Sequence, residues 1–457
     1  MDCCTAALAC STCILGREQR MFSSQTVKRG ALALAIVGAL ACAAPVAAQT
    51  EREAQLEARI AELERLVGEL VKRPPAAAAV PAVAVAQQPL QATSITPGAT
   101  AGTRFSYGGF IKVNSTMTDY SDGNPPASAL IRDFNVPGAI PVGGVGETAV
   151  FDSHAKYSRL WFRTDTVLDS GGTLGSMIEM DFGVPTSGDE RVTNRYNPSL
   201  RRGFLTYNSW LIGQEWSNFM ELGALPESTD FLGPTEGMVF DRQAQIRYTT
   251  GRWSLAIENP ATTIRPYLGG ARIVADENTV PDITARYAHK ADWGLLSLAG
   301  IARQIRYDSA GQSDSAQGFG LSLTTKLLFG EHDLRLMATA GTGIGRYIGI
   351  NLFDDAVLEP SGTLDAIDLF AAYAAWRQVW GGSWRSNFIV GYARADNDSA
   401  LTGLSANAEA SSARANLFWS PASKFDLGFE LSTAKRELES GSSGTVNRLD
   451  FQAKYAF

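Results

Sequence analysis

The chain has 457 residues, enough for two ordinary domains or one large barrel. Charged residues make up 19% and aromatics 9%, which excludes a chain disordered throughout, and the formal charge of −7 at pH 7 argues against a nucleic-acid partner. All five cysteines stand at or before Cys42, so a product cut beyond that point crosses an oxidising compartment with no thiol to mispair.

The first predicted element is a secretory signal peptide over residues 1–48. Lys28 and Arg29 form its basic start, and Ala31 to Ala44 form its apolar stretch. Val46, Ala47 and Ala48 make a small-residue cleavage site before Gln49. The apolar stretch falls short of the ~20 residues that span a bilayer. Cys42 fits lipid attachment poorly, because Ala39 occupies the position where a lipobox favours Leu. Residues 1–20 match no such start, and Met21 reads as the true initiator. Removing residues 1–48 leaves 36 basic and 45 acidic residues, a formal −9.

Residues 49–72 form the second element. Leu56, Ile60, Leu63, Val67 and Leu70 step by four, three, four and three, the seam of a short coiled coil placed in the periplasm. β-Branched residues at one seam position with Leu at the other favour two strands. Residues 73–103 follow as a semi-extended linker, with Pro74, Pro75, Pro81, Pro89 and Pro97 among Ala, Val and Gln.

Residues 104–457 change to short alternating runs broken by Gly, Asp, Asn and Pro. No run after the signal approaches 18 apolar residues, so no helix crosses a membrane. Runs of roughly 8 to 14 residues with both short turns and long loops predict an all-β transmembrane barrel. Short turns fall at Ser170-Gly171-Gly172 and Thr250-Gly251-Arg252, and long loops at 120–153, 183–199 and 261–281. Leu160 and Phe162 alternate with Arg159, Trp161 and Arg163. Leu174, Ile178 and Met180 alternate with Gly175, Glu179 and Asp181. Phe319, Leu321 and Leu323 alternate with Gly320, Ser322 and Thr324. Near the end, Phe425, Leu427, Phe429 and Leu431 oppose Asp426, Gly428, Glu430 and Ser432. In the last run Leu449, Phe451, Ala453, Tyr455 and Phe457 oppose Arg448, Asp450, Gln452 and Lys454. Lipid on one face and water on the other accounts for both patterns without a buried charge. The terminal Phe457 is expected to address the barrel-assembly machinery. At roughly 22 residues per strand and connection, residues 104–457 make about 16 antiparallel strands.

The chain offers little for catalysis. His154, His289 and His332 are far apart, without metal-ligand spacing, and no Gly-x-Ser-x-Gly elbow is present. Gly341 to Gly345 reads Gly-Thr-Gly-Ile-Gly, but neither Lys-Ser nor Lys-Thr follows, so crowded barrel glycines are expected there. No enzyme activity, cofactor or metal is expected. The residues expected to line the pore are Arg159, Arg163, Arg247, Arg303, Arg385, Arg414 and Arg448. Guanidinium groups in a narrow lumen raise the local concentration of anions and bind carboxylates bidentately. The bland alternative is that each holds the wall through a neighbour such as Asp165, Glu179 or Asp450. Leu225 to Val239, rich in Pro, Gly and acids, is the candidate for a loop folded into the pore, with Glu227, Asp230, Glu236 and the nearby Arg242 at the constriction.

Six segments carry a family resemblance. They are Gly213-Gln214-Glu215-Trp216-Ser217-Asn218-Phe219, Pro226-Glu227-Ser228-Thr229-Asp230-Phe231-Leu232-Gly233-Pro234, Arg242-Gln243-Ala244-Gln245-Ile246-Arg247-Tyr248, Gly343-Ile344-Gly345-Arg346-Tyr347-Ile348, Arg385-Ser386-Asn387 and Asn416-Leu417-Phe418-Trp419-Ser420-Pro421. In this order they resemble the DcaP-like trimeric porins of the Gram-negative outer membrane. The resemblance implies a 16-stranded homotrimer in outer-membrane lipid, a periplasmic coiled coil, and passive passage of small anionic solutes such as dicarboxylates. The trimer overrides the two-stranded preference of the heptad, since three barrels packed side by side set the stoichiometry. A second reading is a structural or surface barrel anchored by its coiled coil to a periplasmic partner or the cell wall. Conductance in planar bilayers separates the two.

Overall fold

The chain divides into two units, residues 1–95 and 96–457. The computed structural model describes residues 102–146, 148–183, 193, 195–309 and 311–457, and in the N-terminal unit Arg59, Ala61, Glu62 and Arg65. Those four are helical, and Arg65 pairs with Glu62 at 2.8 Å. The signal peptide, all five residues of the heptad seam and almost all of the linker lie outside the described residues.

In the second unit β1 (Thr103–Tyr120) opens the sheet. After a long loop come β2 (Val150–His154), β3 (Arg159–Val167), β4 (Thr173–Asp181), β5 (Ser199–Tyr207) and β6 (Trp210–Trp216). β7 (Arg242–Thr250) and β8 (Trp253–Glu258) precede two short loop strands, β9 (Thr262–Pro266) and β10 (Ile273–Ala275). β11 (Asp282–Ala291), β12 (Gly294–Ser309), β13 (Gln312–Phe329) and β14 (His332–Thr342) return to the wall. Two more loop strands follow, β15 (Ala356–Leu358) and β16 (Leu364–Ala366). β17 (Asp368–Gly381), β18 (Trp384–Asp396), β19 (Asn407–Ala422), β20 (Phe425–Leu438) and β21 (Ser443–Ala456) complete the chain.

Seventeen of these segments share one sheet. β3 pairs with β1 over Thr103–Phe110 and β2 pairs with it over Asn114–Thr118, so β2 and β3 are one wall strand interrupted at residues 155–158. β21 takes the other side of β1 from Phe110 to Tyr120. With β2 and β3 counted together, sixteen antiparallel strands close a barrel. The count agrees with the spacing, because strand and connection lengths are set by the membrane and not by the residues in between.

Side chains alternate across this wall as the sequence predicts. Phe429, Leu431, Leu449 and Tyr455 are exposed on the outside, while Glu430, Arg448, Asp450 and Gln452 are buried inside. An apolar exterior around a charged interior is stable only where lipid replaces water outside. Outward aromatic pairs mark one end of the barrel: Trp210 with Tyr248 at 4.8 Å, Trp253 with Tyr287 at 4.9 Å, and Trp384 stacked on Trp419 at 5.6 Å. Such rings settle at the headgroup level. This end also holds the short turns, such as Gly251-Arg252 and Gly330-Glu331, and the barrel termini Thr103 and Phe457.

The opposite end carries the long loops. Those at 121–149 and 259–281 match their expected positions. The segment 343–367 does not. It leaves the wall after β14 and turns inward, so Gly343 and Gly345 open a loop where a strand was expected. Crowding is still the reason for glycine there: a Cβ on Gly345 would lie 2.5 Å from the carbonyl of Asp354 and 2.6 Å from that of Phe353. β9, β10, β15 and β16 form a small second sheet over this end.

Candidate functional site

The site is built on the loop after β6, residues 217–241. Its first turn is fixed by Asn218, whose backbone NH donates to Glu258 at 2.8 Å and whose side-chain Oδ1 accepts from Ser254 at 2.6 Å. The chain then crosses the lumenal faces of β11 to β20. Arg286 donates to the carbonyl of Met220 at 2.7 Å, Tyr373 to that of Ala224 at 2.9 Å, and Arg335 to that of Leu225 at 2.5 Å. At the far side Lys112 and Asn114 of β1 donate to the carbonyl of Thr229 at 2.8 and 3.0 Å. These partners come from most of the wall between β8 and β1, so the loop is strapped along it instead of hanging across the bore.

Apolar packing holds the same loop. Phe219, Met220, Met238 and Val239 join Ile344, Tyr347, Ile348, Leu352 and Phe353 of the second inward loop in one buried cluster. The wall contributes Ala299, Met337, Leu369, Ala371, Tyr373, Ala393, Ala395 and Ala410. Small lumenal residues leave room for the loops, and each fully buried Phe or Met contributes about 1.5–3 kcal/mol. β17 shows the sequence signal for this arrangement. Leu369 to Trp376 is apolar at every position, because lipid covers one face and the inner loops cover the other.

The acids expected at the constriction face the wall. Glu227 accepts from Arg385 in a fork, with Nε at 2.7 Å and Nη2 at 2.5 Å. Asp230 accepts from Arg414 at 2.7 Å and from the backbone NH of Asn135 at 3.2 Å. Glu236 is buried and accepts from Ser412 at 2.5 Å. Burial alone would raise the Asp230 carboxyl, but the guanidinium groups of Arg414 and Arg448 outweigh it and hold it below its ordinary value. Burial dominates at Glu236 and pushes that carboxyl upward.

Four of the seven expected pore arginines are therefore engaged in holding loops. Arg385 and Arg414 clamp the inner loop. Arg448 donates to Thr118 at 2.9 Å and to the carbonyl of Ile131 in the first loop. Arg303, with no exposed side-chain surface, sits 2.9 Å from Asp355 and 3.5 Å from Asp282. All four stand on inward faces of their strands, but Arg303, Arg385 and Arg414 are ion-paired there and Arg448 is buried against neutral oxygens, out of a solute's reach. The remaining three divide further. Arg163 lies at the turn-side rim beside Asp165 at 2.7 Å, which cancels it. Arg159 is only loosely paired, 3.6 Å from Glu179 and 3.9 Å from Asp181. Arg247 donates to Gln245 and to the carbonyl of Trp216, both at 2.9 Å, and meets no carboxylate among the described residues.

Arg242, expected at the constriction, opens β7 and stacks over the Trp216 ring at 4.9 Å with no ion pair among the described residues. Two more arginines escape a strict alternation. Arg202 faces Glu179 in the β4–β5 register, and the next pair is Met180 with Leu200. The extra residue, Arg201, is a β-bulge, so both arginines turn inward. Arg201 contacts Asp181 at 2.5 Å and Glu179 at 3.1 Å, and Arg202 grips Glu215 at 2.6 Å. The wall from β3 to β7 thus presents Arg159, Arg201, Arg202, Arg242 and Arg247 against Glu179, Asp181 and Glu215. Arg201 also stands 5.2 Å over Phe231 of the inner loop, so the loop reaches this wall.

Sixteen strands closed around a charged lumen, apolar outside, with a loop strapped into the bore, define an outer-membrane channel of the porin type. Residues 46–457 match the family model for the DcaP outer membrane protein. The chain belongs to the DcaP outer membrane protein family. It is similar to the crystal structure of the outer membrane channel DcaP of Acinetobacter baumannii, at 22% identity and a TM-score of 0.64, covering 79% of this chain and 99% of that one. Fainter likenesses extend to the anion-selective porin from Comamonas acidovorans, at 11% identity and TM-score 0.49 over 78% of this chain and 100% of that one. Outer-membrane-expressed OmpT of Vibrio cholerae follows at 9% identity and TM-score 0.48 over 79% and 99%. At these identities the likeness is one of fold. A comparison with curated protein sequences finds no match.

Proposed function

We propose that the protein is a passive channel favouring small anions, dicarboxylates among them. The observation that carries this reading is the surplus of guanidinium groups on the β3–β7 wall. Five guanidinium groups face the three carboxylates of Glu179, Asp181 and Glu215, a surplus of two; Arg159 is only loosely paired, and Arg242 and Arg247 have no ion pair among the described residues. The acids of the inner loop do not offset them, because they are tied to Arg385, Arg414 and Ser412. A spaced set of guanidinium groups beside an aromatic ring suits a solute with two carboxylates, each able to accept a forked pair of hydrogen bonds.

The family resemblance supports a homotrimer of such barrels, with residues 49–72 as a periplasmic coiled coil, residues 73–103 as a spacer and residues 104–457 as the barrel, and the small residues Val46 and Ala48 support a cut before Gln49. Phe457 is read as the signal to the assembly machinery. Proteoliposome swelling tests the solute preference. Succinate should enter faster than a neutral sugar of similar size at low salt, and the difference should shrink as salt is raised. Equal rates at low salt would remove the anion assignment and leave only an unselective channel.

A further inference from the structure

A second cationic group stands on the turn side of the inner loop, away from the β3–β7 wall. Lys326 of β13 faces Arg335 of β14 in register, and Asp333 of β14 faces Arg377 of β17. All four share the inward face, a few residues from the Gly330-Glu331 turn. Asp333 is their common carboxylate. Arg335 holds it closely, with Nε at 2.5 Å and Nη2 at 3.1 Å, and its third nitrogen supports the inner loop through Leu225. Lys326 at 3.7 Å and Arg377 at 3.6 Å stand further off and make no hydrogen bond to that carboxylate. Their side chains are each 28% exposed, against 2% for Asp333. Lys290 of β11 adds another inward cation, one strand away across Leu295, and has no ion pair among the described residues. Three cations around one buried acid leave two charges uncompensated before Lys290 is counted.

We propose that this group is a second anion station on the turn-side vestibule, where Lys326 and Arg377 hold a doubly charged oxyanion while Arg335 and Asp333 position them. The proposal rests on the anion-channel reading and extends it to where a solute pauses after passing the inner loop. A conducting pore needs sites favourable enough to admit a solute and weak enough to release it, and two separated stations meet that need better than one deep well. Half-exposed, loosely paired cations are suited to weak binding, since a solute displaces water and not an existing close ion pair. Carboxylates and phosphate share the chemistry the station recognises.

Single-channel recording on the full chain in dilute KCl tests this, with succinate added to one side at a time and phosphate as a second probe. For the wild type, succinate should interrupt current at lower concentration from one side, the turn side, which is assigned by a label attached in the Gly251 turn. Lys326→Gln with Arg377→Gln should weaken that side's binding by about threefold to tenfold, the range for two partly exposed charge contacts. Binding from the loop side and conductance in concentrated KCl should not move. Lys326→Arg with Arg377→Lys should keep the station. If the double Gln variant fails to fold, Lys326→Gln alone is read in its place, with a smaller shift in the same direction. Turn-side binding that is unchanged in the Gln variant overturns the station while leaving the channel reading intact. A wild type that conducts but shows no anion preference removes the anion reading first, and the station with it.

Discussion

Adjacent arginines on a regular strand face opposite ways, and the strongest lumenal wall of this channel depends on two that do not. Arg201 and Arg202 both turn inward because β5 carries one residue more than β4 at Glu179. Alternation could not reveal this, since a bulge is decided by pairing and not by the strand's own pattern. Alternation did place Arg303, Arg385, Arg414 and Arg448 on the inside. It could not show that they are engaged in holding loops, because their loop partners are distant in sequence: Asp230 lies 184 residues from Arg414 and Ile131 lies 317 from Arg448. The contrast between Asp230 and Glu236 is testable at this scale. Arg414→Gln leaves the Asp230 carboxylate buried without its ion pair, at a cost of about 3–5 kcal/mol for the attachment of the loop. Hydrogen exchange over residues 217–241 should rise and open-channel noise should grow. Glu236→Gln should do neither, because that carboxyl is pushed toward its neutral form already and an amide keeps the contact with Ser412. Equal loosening in both variants would refute the assignment of Arg414 as the clamp.

At the level of elements, the closing seam was the most legible part of the chain. The β21 pattern of apolar and polar faces is reproduced residue for residue, and β21 meets β1 with Arg448 opposite Thr118 and Lys454 opposite Lys112. Phe457 extends the seam, donating its NH to the carbonyl of Gly109 at 3.1 Å. Gly109 has no room for a side chain, since a Cβ would lie 2.1 Å from the carbonyl of Arg159. Two outcomes follow. Deleting Phe457 should lower the yield of heat-modifiable, folded barrel without altering the conductance of those that form. Gly109→Ala should lower the yield as well, because it forces β1 from β3 at the point where the seam closes. Unheated electrophoresis of outer-membrane fractions reads both. Wild-type levels of the folded form in the Phe457 deletion would show that the terminal residue neither closes nor signals. The inward loop at 343–367 was less legible. Its Gly-Thr-Gly-Ile-Gly start looks the same whether crowded by a strand or by a folded loop, and only the unbroken apolar run of β17 hinted that the lumen there is filled.

For the whole molecule, the lumen is divided in two. One half is packed with loops on an apolar and ion-paired bed, and the other is lined by arginines that outnumber their acids. The barrel itself follows from patterns that lipid imposes on every strand, so it could be read from the chain alone. The division of the lumen depends on contacts between segments distant in sequence, and that is where the linear pattern ended. The central claim is that the uncompensated arginines, and not the acids of the inner loop, set the field in the pore. The reversal potential across a KCl gradient measures it directly. Screening acts over about 8 Å at physiological ionic strength and about 3 Å at 1 M, so the preference should be largest in dilute salt. The wild type should favour chloride over potassium there. Arg159→Gln, Arg242→Gln and Arg247→Gln together should bring the permeability ratio toward unity, and Arg163→Gln combined with Asp165→Asn should leave it in place, because the two charges removed cancel each other. A wild-type pore selective for potassium in dilute salt, or a triple variant with unchanged reversal potential, would contradict the account.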